Sequence, residues 1–146
     1  MVAFSLTTIQ FGRILEPGAE LTASTAGLAN KLVLGDTSVQ SFFTPMWFIN
    51  MRDSARLHIA ALIDHSANGQ WIFAFAAPFS GGNAVLDVAR KLYPHREFVG
   101  VTSDPGEDVS EIPNGFAREL LERHLGKGFT GLEETLRENF SMLKLD

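Results

Sequence analysis

Residues 71–79, WIFAFAAPF, are apolar throughout, and this run constrains the fold more than any other. A strand that alternates apolar and polar side chains can leave one face in water. A strand apolar on both faces needs cover on both. The run therefore predicts a strand over 71–76 buried in a parallel sheet. At nine residues with Pro78 inside it, it falls far short of the roughly 20 that cross a bilayer, and no membrane segment is expected.

The rest of the chain supplies partners and cover. Residues 2–9 are β-branched and aromatic in alternation, which predicts a first strand. A Gly/Pro-punctuated loop follows, and then a helix capped by Ser24 or Thr25 that carries Leu28, Leu32 and Val33 and ends at Gly35. Residues 46–51 predict a second strand running into a helix. Asp53 is placed to accept the first free N–H groups of that helix, and Ala55, Ile59 and Leu62 share one of its faces. Ser80 caps the next helix, which Pro94 stops. Residues 98–102 suit a fourth strand, and 103–115 form an acidic, turn-rich connection. Two amphipathic helices close the chain, over 116–124 and 131–143, the second with a capping box from Thr130 and Glu133. Strands alternating with helices give an α/β fold with a small, mostly parallel sheet and packed helices. At 146 residues the length suits a single domain.

Composition narrows the function classes. A net charge of −5 without a basic run argues against nucleic acid. With no cysteine, disulfides and thiolate metal sites are excluded, and the N-terminus lacks the basic flank of a secretory signal. The expected location is the cytoplasm. Twelve phenylalanines and two tryptophans gather in two clusters, SFFTPMWF and WIFAFAAPF. Either these line a pocket or they cover an oligomer interface, with plain core packing as the simpler use.

The order FGRIL after a strand, WFINMRDSARLHIAAL, a strand after glycine, a helix ending at LYP and a closing LEETLRENF resembles the C-terminal part of extended short-chain dehydrogenase/reductases. The branch is the dihydroflavonol, cinnamoyl-CoA and aldehyde reductase-like group, particularly its fungal members. Proteins of that family carry a Rossmann half with a glycine-rich cofactor turn and a Tyr-x-x-x-Lys pair. No G-x-x-G-x-x-G occurs in this sequence, and its one tyrosine, Tyr93, is followed by Pro94, His95 and Arg96 with no lysine four residues on. The expectation is a chain with no cofactor that is not itself a dehydrogenase. Relative to the family, proline is missing near Thr7 and at Arg13, and Asn50 stands where Asp or His is frequent.

Ligands of α/β sheets bind beyond the carboxyl ends of the strands. Thr7, Thr8, Gln10 and Arg13 lie at the end of the first strand, and Asn50 ends the second. Thr8, Gln10, Arg13 and Asn50 are the candidate donors for charge that develops in a reaction. His58 is a further candidate, although a helical histidine is more often structural. By resemblance, Thr7, Phe42, Phe43 and Trp47 belong to the substrate pocket wall. Arg52 and Asp53 read as a helix start with a local ion pair. His65, His95 and His124 fit no metal motif, and Glu107–Asp108 and Glu133–Glu134 read as solvent-facing. With the Rossmann half absent, exposed strand edges predict association as a homodimer. The expected function is a cofactor-independent cyclase or isomerase acting on a small apolar biosynthetic intermediate. The alternative is a non-catalytic small-molecule-binding or partner subunit derived from a reductase.

Overall fold

Strand β3 (Met46–Asn50) runs without an intervening residue into helix α2 (Met51–Ile63), and both faces of the sheet are organised around it. All five β3 residues are buried. The computed structural model describes residues 2–3, 8–14, 18–100 and 106–145. Within them the order is β1 (Val2–Ala3), β2 (Thr8–Phe11), α1 (Ser24–Val33), a 3-10 turn (Thr37–Phe42), β3, α2, a second 3-10 turn (His65–Ala67), β4 (Ile72–Phe73), β5 (Ala77–Phe79), α3 (Gly81–Leu92), α4 (Gly115–Leu125) and α5 (Leu132–Phe140).

β2 pairs in parallel with β3, Thr8 opposite Trp47 and Phe11 opposite Asn50. β1 pairs in parallel with β4, and β5 pairs antiparallel with β3. The α/β arrangement with mostly parallel pairing is thus realised, in one two-stranded and one three-stranded sheet, but the strand expected over 71–76 is split. After β4 the chain turns tightly, with Phe75 N–H donating to Phe73 O at 3.0 Å, and Ala76 N–H then donates to Phe48 O at 2.8 Å. This hands the chain from one ladder to the other. Pro78 fits because β5 is the edge of its sheet.

Alternation along β3 divides the interior. Phe48 joins a cluster with Phe11, Phe79, Leu32, Val85 and Phe140, under α1, α3 and α5. Phe79 meets Phe11 and Phe48 edge-to-face at 5.7 and 6.2 Å. Ile49, on the opposite face, packs with Leu57, Ala60, Ile72, Leu120 and Leu121, under α2 and α4. Most of the phenylalanine excess serves these layers.

Several helix starts differ from the sequence expectation. α2 is capped by Asn50, whose Oδ1 accepts Arg52 N–H at 2.8 Å. Asp53 is instead buried and accepts Thr130 N–H at 2.6 Å, pinning the approach to α5. Neither Ser24 nor Thr25 caps α1, whose cap position is Ala23; the Thr25 hydroxyl donates to Gln10 O at 2.8 Å. Ser80 precedes α3 without a side-chain cap. The Thr130–Glu133 box is absent, because α5 starts after Gly131 and Glu133 pairs with Lys91 and Arg137. Residues 98–100 form no strand, and 101–102 lie outside the described residues. Ala55, Ile59 and Leu62 do share a face of α2, but it is the outer one, with Ile59 58% and Leu62 85% exposed. Leu57 and Ala60 face α4 instead. No helix among the described residues is long and apolar enough to cross a membrane.

Asp64 latches α4 to the end of α2. Its Oδ2 accepts Arg123 Nη1 at 2.6 Å and contacts His124 Nε2 at 2.9 Å, while Oδ1 takes Ser66 N–H and Oγ. The Ser66 hydroxyl first, then His124, the Ser66 amide and Arg123, hold its pKa well below the usual carboxylate range. A depressed carboxylate pKa adds stability that is complete above the unfolded value, about 3.9, and is lost as pH falls through the lowered one. Asp64→Asn is therefore expected to lower amide protection in the last turn of α4 several-fold at pH 7. The wild type should lose that protection only well below about pH 4. Unchanged protection in the variant, measured by hydrogen exchange, would remove the latch.

Candidate functional site

The carboxyl ends of the parallel strands β2 and β3 open into a cleft of about 950 Å³. One wall is the segment after β2, with Arg13 and Ile14. A second is the 19–26 segment that enters α1, and the third is the first turn of α2 with Met51, Arg52 and Ala55. Glu138 of α5 completes the lining.

Buried amides shape this corner. Asn139 of α5 accepts Gly12 N–H at 3.2 Å and donates to Ala26 O at 3.0 Å and Asn30 Oδ1 at 2.8 Å. Asn30 in turn donates to Glu20 O at 2.7 Å. The network ties α5, α1 and the two loop walls together. Gly12 has φ +152°, and a Cβ there would come within 3.3 Å of the Met51 Cβ. Glycine thus lets the loop close onto α2.

Asn50 sits at the base. Besides capping α2, its Nδ2 donates to Thr135 Oγ1 at 3.2 Å and to Glu138 Oε2 at 3.1 Å. Arg52 Nη2 pairs with Glu138 Oε1 at 2.9 Å. Strand end, helix start and α5 therefore meet in one hydrogen-bonded set.

Of the candidates named from sequence, the structure gathers Gln10, Arg13 and Asn50 around the cleft. Asn50 has its amide committed to the scaffold, whereas Gln10 and Arg13 have side chains without a partner among the described residues. Thr8 begins β2 opposite Trp47; its side chain, like Thr7 as a whole, lies outside the described residues. His58 is exposed on α2 away from the cleft lining, its Nδ1 2.8 Å from Ser54 O of the preceding turn. The expected aromatic wall is not part of this cleft. Phe43 is in the core, Trp47 is buried edge-on to Phe75 at 6.3 Å, and Phe42 is 61% exposed on its 3-10 turn. Strand pairing turns Trp47 inward, and the 3-10 turn points the adjacent phenylalanines opposite ways. The cleft walls mix small apolar side chains, Ile14, Ala23, Ala26 and Ala55 among them, with hydroxyls and charged groups.

Sequence reasoning paired Arg52 with Asp53, whereas Arg52 pairs with Glu138 and Asp53 with Arg56; it missed Glu138 and the Asn139 network. A signal was present for the last: Thr135 and Asn139 are four apart beside Leu136 and Phe140, polar residues on an apolar helical face. Among the described residues no three His, Asp or Glu side chains are placed to hold a metal ion.

No family model matches the chain. It is similar to ketoreductase adrE of Penicillium roqueforti, 31% identical over 93% of this chain and 40% of that protein. Ketoreductase nvfG of Aspergillus novofumigatus is 34% identical over 86% of this chain and 36% of that protein. Aldehyde reductase 2 of Sporidiobolus salmonicolor is 27% identical over 91% and 38%. Among solved structures, Gre2 from Candida albicans superposes with a TM-score of 0.70 at 17% identity, over 92% of this chain and 41% of that one. Yeast methylglyoxal/isovaleraldehyde reductase Gre2 complexed with NADPH gives 0.63 at 22% identity, over 93% and 44%. The architecture is that of a short-chain dehydrogenase/reductase. More narrowly, the sequence and fold are those of the C-terminal part of an extended, fungal ketoreductase- and aldehyde reductase-like member, and the chain spans about two fifths of the length of the relatives it matches.

A dinucleotide needs backbone N–H groups open to its pyrophosphate at a helix start. The two glycines that open α3, Gly81 and Gly82, are both buried, and no glycine-rich G-x-x-G-x-x-G turn occurs. The described residues do not fit a pyrophosphate.

Replacing Asn139 with Ala strands the buried Gly12 N–H and Asn30 Oδ1. The expected loss is about 2–3 kcal/mol, read as a lower urea midpoint at unchanged slope. A midpoint within error of wild type would show that the network carries no stability.

Proposed function

We propose that this chain is the ligand-holding part of a carbonyl-handling protein, and that its cleft binds a small, mostly apolar compound with a ketone or aldehyde group. The observation that carries this reading is the cleft itself. It lies where α/β sheets take ligands, its surface is more apolar than polar, and Gln10 and Arg13 remain available there as hydrogen-bond donors. The carbonyl class is supported by the named activities of the relatives, ketoreductase and aldehyde reductase. Those relatives are much longer, so reduction by this chain is no part of the proposal.

Cofactor-free ring closure or isomerisation needs several donors converging on the bound molecule. The amide of Asn50, one of the four donors that reading relies on, is taken up by Thr135 and Glu138. Holding a ligand asks less of the site, and Gln10 and Arg13 suffice for it. Binding is therefore the preferred reading over cyclisation.

The test is calorimetric titration with 4-phenyl-2-butanone, a neutral ketone with an apolar body. Ala55 lines the cleft from an exposed helix position, so Ala55→Trp fills the space without disturbing the core. Saturable heat is expected for wild type, with affinity at least about tenfold weaker in the variant, a difference of 1.4 kcal/mol. Heat that is absent in both, or equal in both, would contradict the assignment of the cleft.

A further inference from the structure

We infer that the cleft is selective for an acid: the compound it takes carries a carboxylate, held by Arg13, on its apolar body. This rests on the reading of the cleft as a ligand site and adds the chemical class of the ligand.

The first support is the local charge. The chain as a whole carries −5, yet among the described residues the ionic side chains lining the cleft are Arg13, Arg52 and Glu138, one positive charge in excess. Glu138 does not neutralise Arg13. Its Oε1 is taken by Arg52 at 2.9 Å and its Oε2 by the Asn50 amide at 3.1 Å. Arg13 has no partner among the described residues.

The second support is the root from which Arg13 projects. The preceding Gly12 N–H is tied to buried Asn139 at 3.2 Å, and the following Ile14 is buried. Gln10 O, three residues back, accepts the Thr25 hydroxyl at 2.8 Å. The backbone is thus fixed on both sides of an exposed guanidinium. A fixed root lowers the entropy lost when the side chain engages a ligand. A guanidinium offers two parallel N–H donors that match the two oxygens of a carboxylate, an interaction about twice as strong as a neutral hydrogen bond.

The third support is what surrounds it. Ile14, Ala23, Ala26, Met51 and Ala55 supply an apolar wall suited to a hydrocarbon body, and the hydroxyl side chains of Thr22 and Ser24 beside them carry no charge. Among the described lining residues the one carboxylate, Glu138, is engaged by two partners of its own.

The experiment compares two probes of nearly the same shape, 3-phenylpropanoate and 4-phenyl-2-butanone, in which a methyl group replaces one carboxylate oxygen. Calorimetry at pH 7 is expected to show the acid bound about tenfold more tightly by wild type. Arg13→Gln should weaken the acid by about that factor and the ketone far less, and Arg13→Lys should keep part of the preference. Equal affinities in wild type, or a preference for the acid that survives Arg13→Gln, would overturn the acid-selective role while ketone binding leaves the ligand site standing. Failure of both probes to bind wild type would remove the site and the selectivity together.

Discussion

Everything at the cleft end of this molecule depends on the direct junction of β3 and α2. With no loop residue between them, the free N–H groups of the helix start and the carboxyl end of the strand fall at one point, and a single amide serves both. Asn50 caps α2 through its oxygen and reaches α5 through its nitrogen. The pull toward α5 also brings Asn139 under the Gly12 backbone. The cleft is the space left between these tethered walls, so its shape is set by buried hydrogen bonds more than by side-chain volume. Buried amides of this kind are costly to leave unpaired, which makes the arrangement all-or-none.

The two-layer interior follows from the same strand. Its alternation sends Phe48 to the aromatic layer and Ile49 to the aliphatic one. The aromatic residues that draw attention in the sequence are largely spent in the first layer, and the described residues lining the cleft include none of them. Cluster composition alone cannot separate a pocket wall from a core, because both reward burial of the same rings. In this molecule the core took Phe43, Phe48 and Phe79, and the last two pack edge-to-face at 6.2 Å.

Local signals in the sequence located the helices well: α3 lies between Ser80 and Pro94, and α4 matches its amphipathic stretch within one residue at each end. α5 stops three residues short of the expected Leu143, and β3 ends within one residue of the expected point. The break within residues 71–79 was not legible, because it depends on one long-range bond from Ala76 to Phe48. Caps were misassigned for a related reason. Asp53, Thr25 and Glu133 are all competent to serve a local helix start, but each finds a partner elsewhere in space: Thr130, Gln10 and Lys91. For the candidate site, strand ends pointed to Gln10, Arg13 and Asn50, which the structure gathers around one cleft. The parts contributed by α5, 85 or more residues beyond Asn50 in the chain, carry only the weak signal of polar residues on an apolar stripe.

The central claim is that the cleft at the ends of β2 and β3 is where this chain holds a small molecule. The most direct measurement is amide chemical-shift mapping by two-dimensional NMR during titration with 4-phenyl-2-butanone. Shifts concentrated at Gly12, Ala23, Ala26 and Ala55, saturating together, are the expected result. Shifts confined to the exposed outer turns of α2 around Leu62 and Ile63, with the cleft amides unmoved, would contradict it.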